Sequence, residues 1–345
     1  MVLAIQWVDG SPPGIRLLDQ TRLPEQEEHI DVTTVDVLIR AIQDLAVRGA
    51  PALGAAGALG VAVAMLQGVR EGWDEERLAA EIDRLRNARP TAVNLAWGVD
   101  RMRPLIPRGI DAVLAAGLQV VADDTAANRE LSRIGADWIL AHTNRRPLRI
   151  NTHCNTGALA TTAQGTAYGI IKELFGRGLV EMVYADETRP LLQGSRLTSW
   201  ELTRDGIPHR VQVDGAASST ILRGLVDVAI IGADRIAANG DTANKVGSVA
   251  LALACRRAGI PFVVAAPSST VDPATASGDD IVIELREEAE VLELAGIRTA
   301  PGTARGFNPA FDVTPHDLID AVVTERGIVE PALSPNPRCM ARILS

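Results

Sequence analysis

Five short apolar runs in the second part of the chain constrain its fold more than any other feature. Leu148–Thr152, Val180–Ala185, Arg210–Val213, Asp227–Gly232 and Pro261–Ala266 each have strand length. Helical patterns separate them at roughly 30-residue intervals or a little more. Strand, helix, strand at that spacing builds parallel pairs, and a parallel sheet has to be covered by helices on both faces. The pattern predicts a Rossmann-like, doubly wound parallel-sheet domain over residues 147–345. Its boundary is placed at Arg145-Arg146-Pro147.

Residues 1–146 read as a mainly helical domain with short opening strands around the turn Asp9-Gly10-Ser11-Pro12-Pro13-Gly14. Thr33-Thr34-Val35-Asp36 offers a capping-box start, and Leu38, Ile42 and Leu45 follow on one helical face. Arg48-Gly49-Ala50-Pro51 interrupts, with Pro51 suited to the first turn of a new helix. Leu78, Ile82 and Leu85 mark another amphipathic helix. Ala88-Arg89-Pro90-Thr91 is a second break, with a helix expected after it, and an Ala-rich helix is expected from Ile110 to His142. Two domains suit 345 residues at ~150 residues per domain.

Several function classes are excluded early. Lys and Arg number 34 against 43 Asp and Glu, a net charge of −9 with no basic run, so a nucleic-acid partner is not expected. Aromatic residues are too few for base-stacking platforms. Cys154, Cys255 and Cys339 form no C-x-x-C pair, which argues against a disulfide framework or a cysteine zinc site and makes a reducing cytoplasm the expected compartment. The segment Met1 to Asp9 lacks the basic-then-apolar order of a signal peptide. The long apolar stretches are broken by Gly, Asn or charges, so no membrane association is expected. Gly54 to Gly60 has the wrong spacing for a dinucleotide loop and reads as a tightly packed helix. No phosphate-loop or H-E-x-x-H motif occurs, and no metal is expected.

Ligands of a doubly wound sheet bind beyond the carboxyl ends of its strands. The first predicted strand runs into Asn151-Thr152-His153-Cys154-Asn155-Thr156-Gly157, and the second into Asp186-Glu187-Thr188-Arg189-Pro190-Leu191-Leu192-Gln193-Gly194. The third ends at Asp214-Gly215. The fourth reaches Gly232-Ala233-Asp234-Arg235 and continues to Asn244-Lys245. Cys154 is either an inert core residue or a reactive thiol, and its polar neighbours favour the thiol. His153, next along an extended strand, points to the other face and reads as structural. Asp234, after four apolar residues, is expected in a poorly solvated crevice, which would suit it to general-acid work. Asp186 and Glu187 either organise loops or act in the chemistry. Arg48-Gly49-Ala50 and Arg89 stand at helix entries, and Lys245 is expected to open a helix. Together they suggest a pocket for a phosphate.

The chain resembles the methylthioribose-1-phosphate isomerases. The resemblance rests on RGAPALG at Arg48–Gly54, RPTAVNLAW at Arg89–Trp97, THCNTGALAT at Thr152–Thr161, ADETRPLLQGSRLT at Ala185–Thr198, IGADRIAANGDTANKVG at Ile231–Gly247 and NPAFDVTP at Asn308–Pro315. The wider family includes the alpha, beta and delta subunits of eukaryotic initiation factor 2B. The resemblance implies an aldose–ketose isomerase that converts 5-methylthioribose 1-phosphate to 5-methylthioribulose 1-phosphate in methionine salvage, as a homodimer without cofactor. It implies Cys154 and Asp234 as catalytic residues and Arg48, Gly49, Ala50, Arg89, Gln193, Asn244 and Lys245 as substrate-binding positions. The alternatives are an isomerase of 5-deoxyribose 1-phosphate or ribose 1,5-bisphosphate, and a non-catalytic regulatory subunit.

Overall fold

The computed structural model describes residues 3–90 and 93–344. Thr91 of the second predicted break, its neighbour Ala92 and the opening Met1-Val2 lie outside the described residues. By their contacts the residues form two units, Met1–Ala127 with Thr156–Gly165, and Asn128–Asn155 with Thr166–Ser345.

In the first unit β1 (Ile5–Val8), β2 (Gly14–Leu18) and β3 (His29–Val32) form an antiparallel sheet in that order. Helices α1 (Val35–Gln43), α2 (Ala50–Glu71), α3 (Glu75–Arg86) and α4 (Val93–Met102) follow. Thr34 caps α1 through its side chain, 3.4 Å from the Val37 nitrogen. The expected capping box is incomplete, because the third helical residue is the apolar Val37. Asp36 instead pairs with Arg84 at 2.8 Å. Helix α2 is long and apolar enough to cross a membrane by composition alone. It is instead the central helix of this unit, buried on nearly every face with Leu38, Leu85, Leu95 and Val99 in the core around it.

The Ala-rich helix α5 spans Ile110–His142, and the division between units falls inside it. Its first part belongs with α2, through Val113 and Val120. Its second part places Leu131, Ala136 and Ile139 in the core of the second unit. The change from helix to strand near residue 147 is therefore a boundary of secondary structure, while contacts divide the chain at 127/128.

The second unit is built on a seven-stranded sheet of β4 (Leu148–Thr152), β5 (Val180–Asp186), β6 (His209–Gln212), β7 (Val228–Ile231), β10 (Phe262–Ala265), β15 (Ala321–Thr324) and β16 (Gly327–Val329). The order across the sheet is β16-β15-β10-β7-β4-β5-β6, parallel except for the β15–β16 edge pair. Side chains alternate between two cores. Val228 and Ile230 of β7 join one core with α6 (Ala167–Gly176) and Leu202 of α7 (Ser199–Arg204). Ala229 and Ile231 join the other with α8 (Asp214–Leu222) and α9 (Ser248–Ala258). Each Val, Ile or Leu side chain fully buried in this way contributes about 1.5–3 kcal/mol. This is the doubly wound arrangement that the spacing predicts. A second sheet, absent from the sequence reading, takes the order β11-β8-β9-β14 from β8 (Arg235–Ala237), β9 (Thr242–Lys245), β11 (Val271–Asp272) and β14 (Phe311–Thr314). The pair β12 (Glu293–Leu294) and β13 (Ile297–Arg298) forms a separate hairpin.

The chain builds outward from β4 to β5 and β6, then returns to lay β7 against the other side of β4. The strand order reverses between β4 and β7, and a doubly wound sheet opens a crevice at such a point.

Candidate active site

Cys154 lies two residues beyond β4, and Asp234 three residues beyond the neighbouring β7. The reversal point of the sheet thus carries both predicted catalytic residues. Cys154 is 7% exposed and sits at φ 66°, in the left-handed region. A non-glycine residue there costs of order 1–3 kcal/mol, and buried hydrogen bonds hold it in place. Its N–H donates to Thr188 Oγ1 at 2.9 Å, and its carbonyl accepts from Thr198 Oγ1 at 2.6 Å. Thr188 is fixed in turn by Asp214, whose carboxylate accepts from the Thr188 and Arg189 backbone nitrogens at 2.7 Å each. The thiol is aimed by its backbone rather than by a rotamer preference alone.

Gln193 is 1% exposed, and its Nε2 donates to Cys154 Sγ at 3.5 Å. Its Oε1 is buried without a hydrogen-bond partner, as is Oδ1 of Asn155. Nδ2 of Asn155 is engaged by the buried Glu201 at 2.7 Å. Buried acceptors are normally satisfied, so the Gln193 oxygen, on the amide that touches the thiol, suits a ligand carrying a hydroxyl donor.

His153 is 1% exposed, and its ring is fully engaged. Nδ1 lies 3.0 Å from Asp186 Oδ2 and Nε2 lies 2.9 Å from the Val246 carbonyl. It is therefore not a base for Cys154, although the reason is this engagement and not strand alternation, since both residues lie beyond the end of β4. Asp186 also accepts from Asn151 Nδ2 at 3.0 Å and Gln212 Nε2 at 2.9 Å. Burial opposes a charge on His153, but the hydrogen bond and charge of Asp186 outweigh it, and the pKa is pushed up to about 9. A histidine that binds its proton more tightly when folded stabilises the fold fully below its unfolded pKa of about 6.5. That contribution is lost as pH rises through about 9. The thermal midpoint is expected to fall across this window, and to fall less in His153→Asn. A wild-type midpoint that stays flat through the same window would contradict a charged His153.

Asn244 and Lys245 close β9 and are buried. Asn244 Nδ2 donates to Ser248 Oγ at 2.9 Å, and Lys245 Nζ donates to the Ala310 carbonyl at 2.7 Å while lying 4.4 Å from the Phe311 ring centre. Lys245 ends a strand rather than opening a helix. Gly247 caps α9, and Asp312 Oδ2 accepts from the Gly247 and Val249 nitrogens at 2.8 and 3.3 Å. Burial raises the Asp312 pKa. Asp234 departs further from expectation. Its side chain is exposed, so the desolvation foreseen for it is absent. It sits on the turn from β7 into β8, held through its backbone by a 2.9 Å bond to the Ala243 carbonyl.

In the first unit Gly49 caps α2 at φ 96°, with Ala50 and Pro51 in the first turn. A Cβ on Gly49 would lie 2.2 Å from the Ala160 carbonyl oxygen, so only glycine fits. Arg48 and Arg89 are half-buried just before α2 and in the loop before α4. Among the described residues no group of three or more His, Cys, Asp or Glu is arranged to hold a metal ion. Sequence reasoning left Asp186 open between organising loops and doing chemistry, and the structure makes it an anchor; it missed the anchoring work of Thr188, Thr198 and Asp312. The polar run that starts at the end of β5 was the one available signal for Thr188.

Fold and site together define a doubly wound α/β protein with a buried, backbone-aimed thiol where its strand order reverses. A model of the Initiation factor 2 subunit family matches residues 29–331, and the chain belongs to that family. The probable bifunctional methylthioribose-1-phosphate isomerase/methylthioribulose-1-phosphate dehydratase of Nocardia farcinica is 52% identical over 97% of this chain, which spans 60% of that relative's length. The methylthioribose-1-phosphate isomerase of Anaeromyxobacter dehalogenans is 50% identical, with 93% of this chain and 92% of the relative covered. Among solved structures, the 5-methylthioribose 1-phosphate isomerase of Pyrococcus horikoshii OT3 superposes with a TM-score of 0.89 at 34% identity, covering 100% of this chain and 96% of that one. The translation initiation factor eIF-2B subunit delta from A. fulgidus gives 0.86 at 36% identity, covering 100% and 99%.

Proposed function

We propose that this protein is an aldose–ketose isomerase that converts 5-methylthioribose 1-phosphate to 5-methylthioribulose 1-phosphate in methionine salvage. The observation that carries the reading is the buried Cys154–Gln193 pair at the reversal point of the sheet, in a chain about half identical to isomerases of that name over nine-tenths of its length.

The chemistry explains the residues. A phosphate ester at C1 blocks simple ring opening to an aldehyde, so an acid has to protonate the ring oxygen. In our reading, which for Asp234 rests on the family resemblance and not on burial, Asp234 supplies that proton, the ring C1–O bond breaks, and positive charge develops at C1. Hydrogen then moves from C2 to C1 with its electron pair. The C2 hydroxyl becomes the ketone carbonyl and returns its proton to Asp234, so the acid is regenerated. Cys154 lines the path of the migrating hydrogen and supports that transition state. The alternative route, an enediol with Cys154 shuttling the proton, has the same overall balance. Gln193, Asn244 and Lys245 in the second unit, and Arg48, Gly49, Ala50 and Arg89 in the first, are the proposed substrate-binding positions. Gln193 Oε1 suits a sugar hydroxyl, and within each unit taken by itself the cationic positions suit a phosphate. No cofactor enters this scheme. A homodimer acting on a soluble phosphosugar in the cytoplasm, away from nucleic acid and membrane, completes the proposal.

A panel of 1-phosphosugars differing at C5 tests it. Turnover is expected to be fastest with the 5-methylthio compound. Faster turnover of 5-deoxyribose 1-phosphate or ribose 1,5-bisphosphate would reassign the substrate. No turnover of any would favour a regulatory role, the second reading supported by the eIF-2B delta structure.

A further inference from the structure

We propose that His153 is a positioning residue of this site, a buried imidazolium that ties the thiol-bearing end of β4 to the Asn244–Lys245 segment and thereby sets affinity for the phosphate end of the substrate. The substrate part of this inference rests on the isomerase reading; the geometry does not.

Both ring nitrogens of His153 face atoms that only accept, the Asp186 carboxylate and the Val246 carbonyl. A neutral imidazole has one N–H and would meet one of them lone pair to lone pair, whereas the cation donates to both. The charged groups around the ring agree. Asp186 faces it from β5, Cys154 adjoins it in the chain, and Asp214 of α8 contributes at longer range. Asp312 of β14 feels the His153 charge in turn. Each of these groups, when ionised, is an anion that favours the protonated ring.

The second bond ends at Val246, directly after Asn244 and Lys245. This short segment has little freedom. Asp312 holds its far side at Gly247 and Val249. Gly247 sits at φ 112° against the imidazole, where a Cβ would come 2.9 Å from Cε1. His153 thus reaches from Asp186, at the end of β5, to the backbone between the two proposed binding residues and the helix α9. Removing it leaves the Val246 carbonyl without that donor, so that the segment is held only by its β14 side, through Ala310, Phe311 and Asp312. The thiol keeps its own anchors on Thr188 and Thr198. The expected cost therefore falls on binding rather than on the chemical step.

Two measurements on the full chain test this. In the first, wild-type protein carrying isotope-labelled histidine is titrated by NMR. The His153 signal is assigned by substituting His29, His142, His209 and His316 one at a time. The ring is expected to stay doubly protonated at neutral pH and to titrate near pH 9; a neutral ring at pH 7 overturns the proposal. In the second, His153→Asn and Asp186→Asn are compared with wild type and with the exposed control His29→Asn. KM for 5-methylthioribose 1-phosphate, and the inhibition constant of inorganic phosphate, are each expected to rise by roughly tenfold or more in both site variants, the loss of about one charge-assisted hydrogen bond. kcat is expected to change little. Unchanged binding in folded variants, or a collapse of kcat at constant KM, overturns the positioning role. Should His153→Asn fail to fold, the wild-type titration and Asp186→Asn still decide. Should the wild type turn over no phosphosugar, the isomerase reading fails on its own, while the histidine titration and phosphate affinity still judge His153.

Discussion

Cys154→Ser is expected to fold with little change in thermal midpoint, because Gln193 Nε2 stands ready to donate to the new hydroxyl, and to lose at least ~10²-fold in turnover, the scale on which a positioned group acting directly in the chemistry contributes. The two strongest anchors of this residue, to Thr188 and Thr198, involve its backbone. Serine keeps both, and keeps the left-handed conformation they enforce. The change is confined to the Sγ beside Gln193 Nε2 and to the volume that sulfur fills. Activity and midpoint measured on one preparation separate chemistry from folding, and near-normal turnover in a folded variant would remove the thiol from the mechanism. Cys255→Ser and Cys339→Ser are the controls. Both residues are buried in the second core, where burial raises their thiol pKa values. Each variant costs stability through a buried hydroxyl, about 1–3 kcal/mol, yet its folded fraction is expected to turn over at the wild-type rate.

Asp234→Asn is expected to retain substrate binding while turnover collapses. The amide keeps the shape of the carboxyl group but has no acidic proton to deliver, and the backbone bond to Ala243 that fixes the turn is untouched. Normal turnover would show that the ring oxygen is protonated by another group. The route of the hydrogen is read separately, by running the wild type in deuterated water and examining C1 of the ketose. A C1 phosphate ester leaves no free aldehyde to acidify the C2 hydrogen, so a hydride shift is expected and C1 should carry no solvent deuterium. Substantial deuterium at C1, with back-exchange of the product excluded, would establish the enediol route instead.

The sequence made the frame of the second unit legible because its signals are local. β4 and α5 lie where the apolar runs place them, and β5, β6, β7 and β10 differ from expectation by a residue or two at their ends. β15 and β16 were missed, as was the sheet of β8, β9, β11 and β14. Those strands are two to four residues long, and while β8–β9 and β15–β16 pair locally, the rest of the pairing links positions far apart, such as Lys245 with Phe311. No periodicity records such partners. The same limit explains the site. Cys154 and Asp234 were found by their places after apolar strands. The exposure of Asp234 and the ring bonds of His153 depend on elements that arrive up to 93 residues later in the chain.

The division at residue 127, together with the return of Thr156–Gly165 to the first unit, has a consequence for synthesis. When the ribosome has released residues 1–127, the first unit still lacks the strand of chain that supplies the Leu159 carbonyl to Gln20 and packs Ala160 against Gly49. That strand emerges only after β4 and Cys154 of the other unit. Neither unit is a continuous stretch of the polypeptide, so a gene cut at 146/147 would leave the first half without Thr156–Gly165 and the second without Leu131, Ala136 and Ile139 on its sheet. The order of emergence makes the two halves of this chain mutually dependent for completion, and separately expressed fragments would need to find each other before either could finish folding.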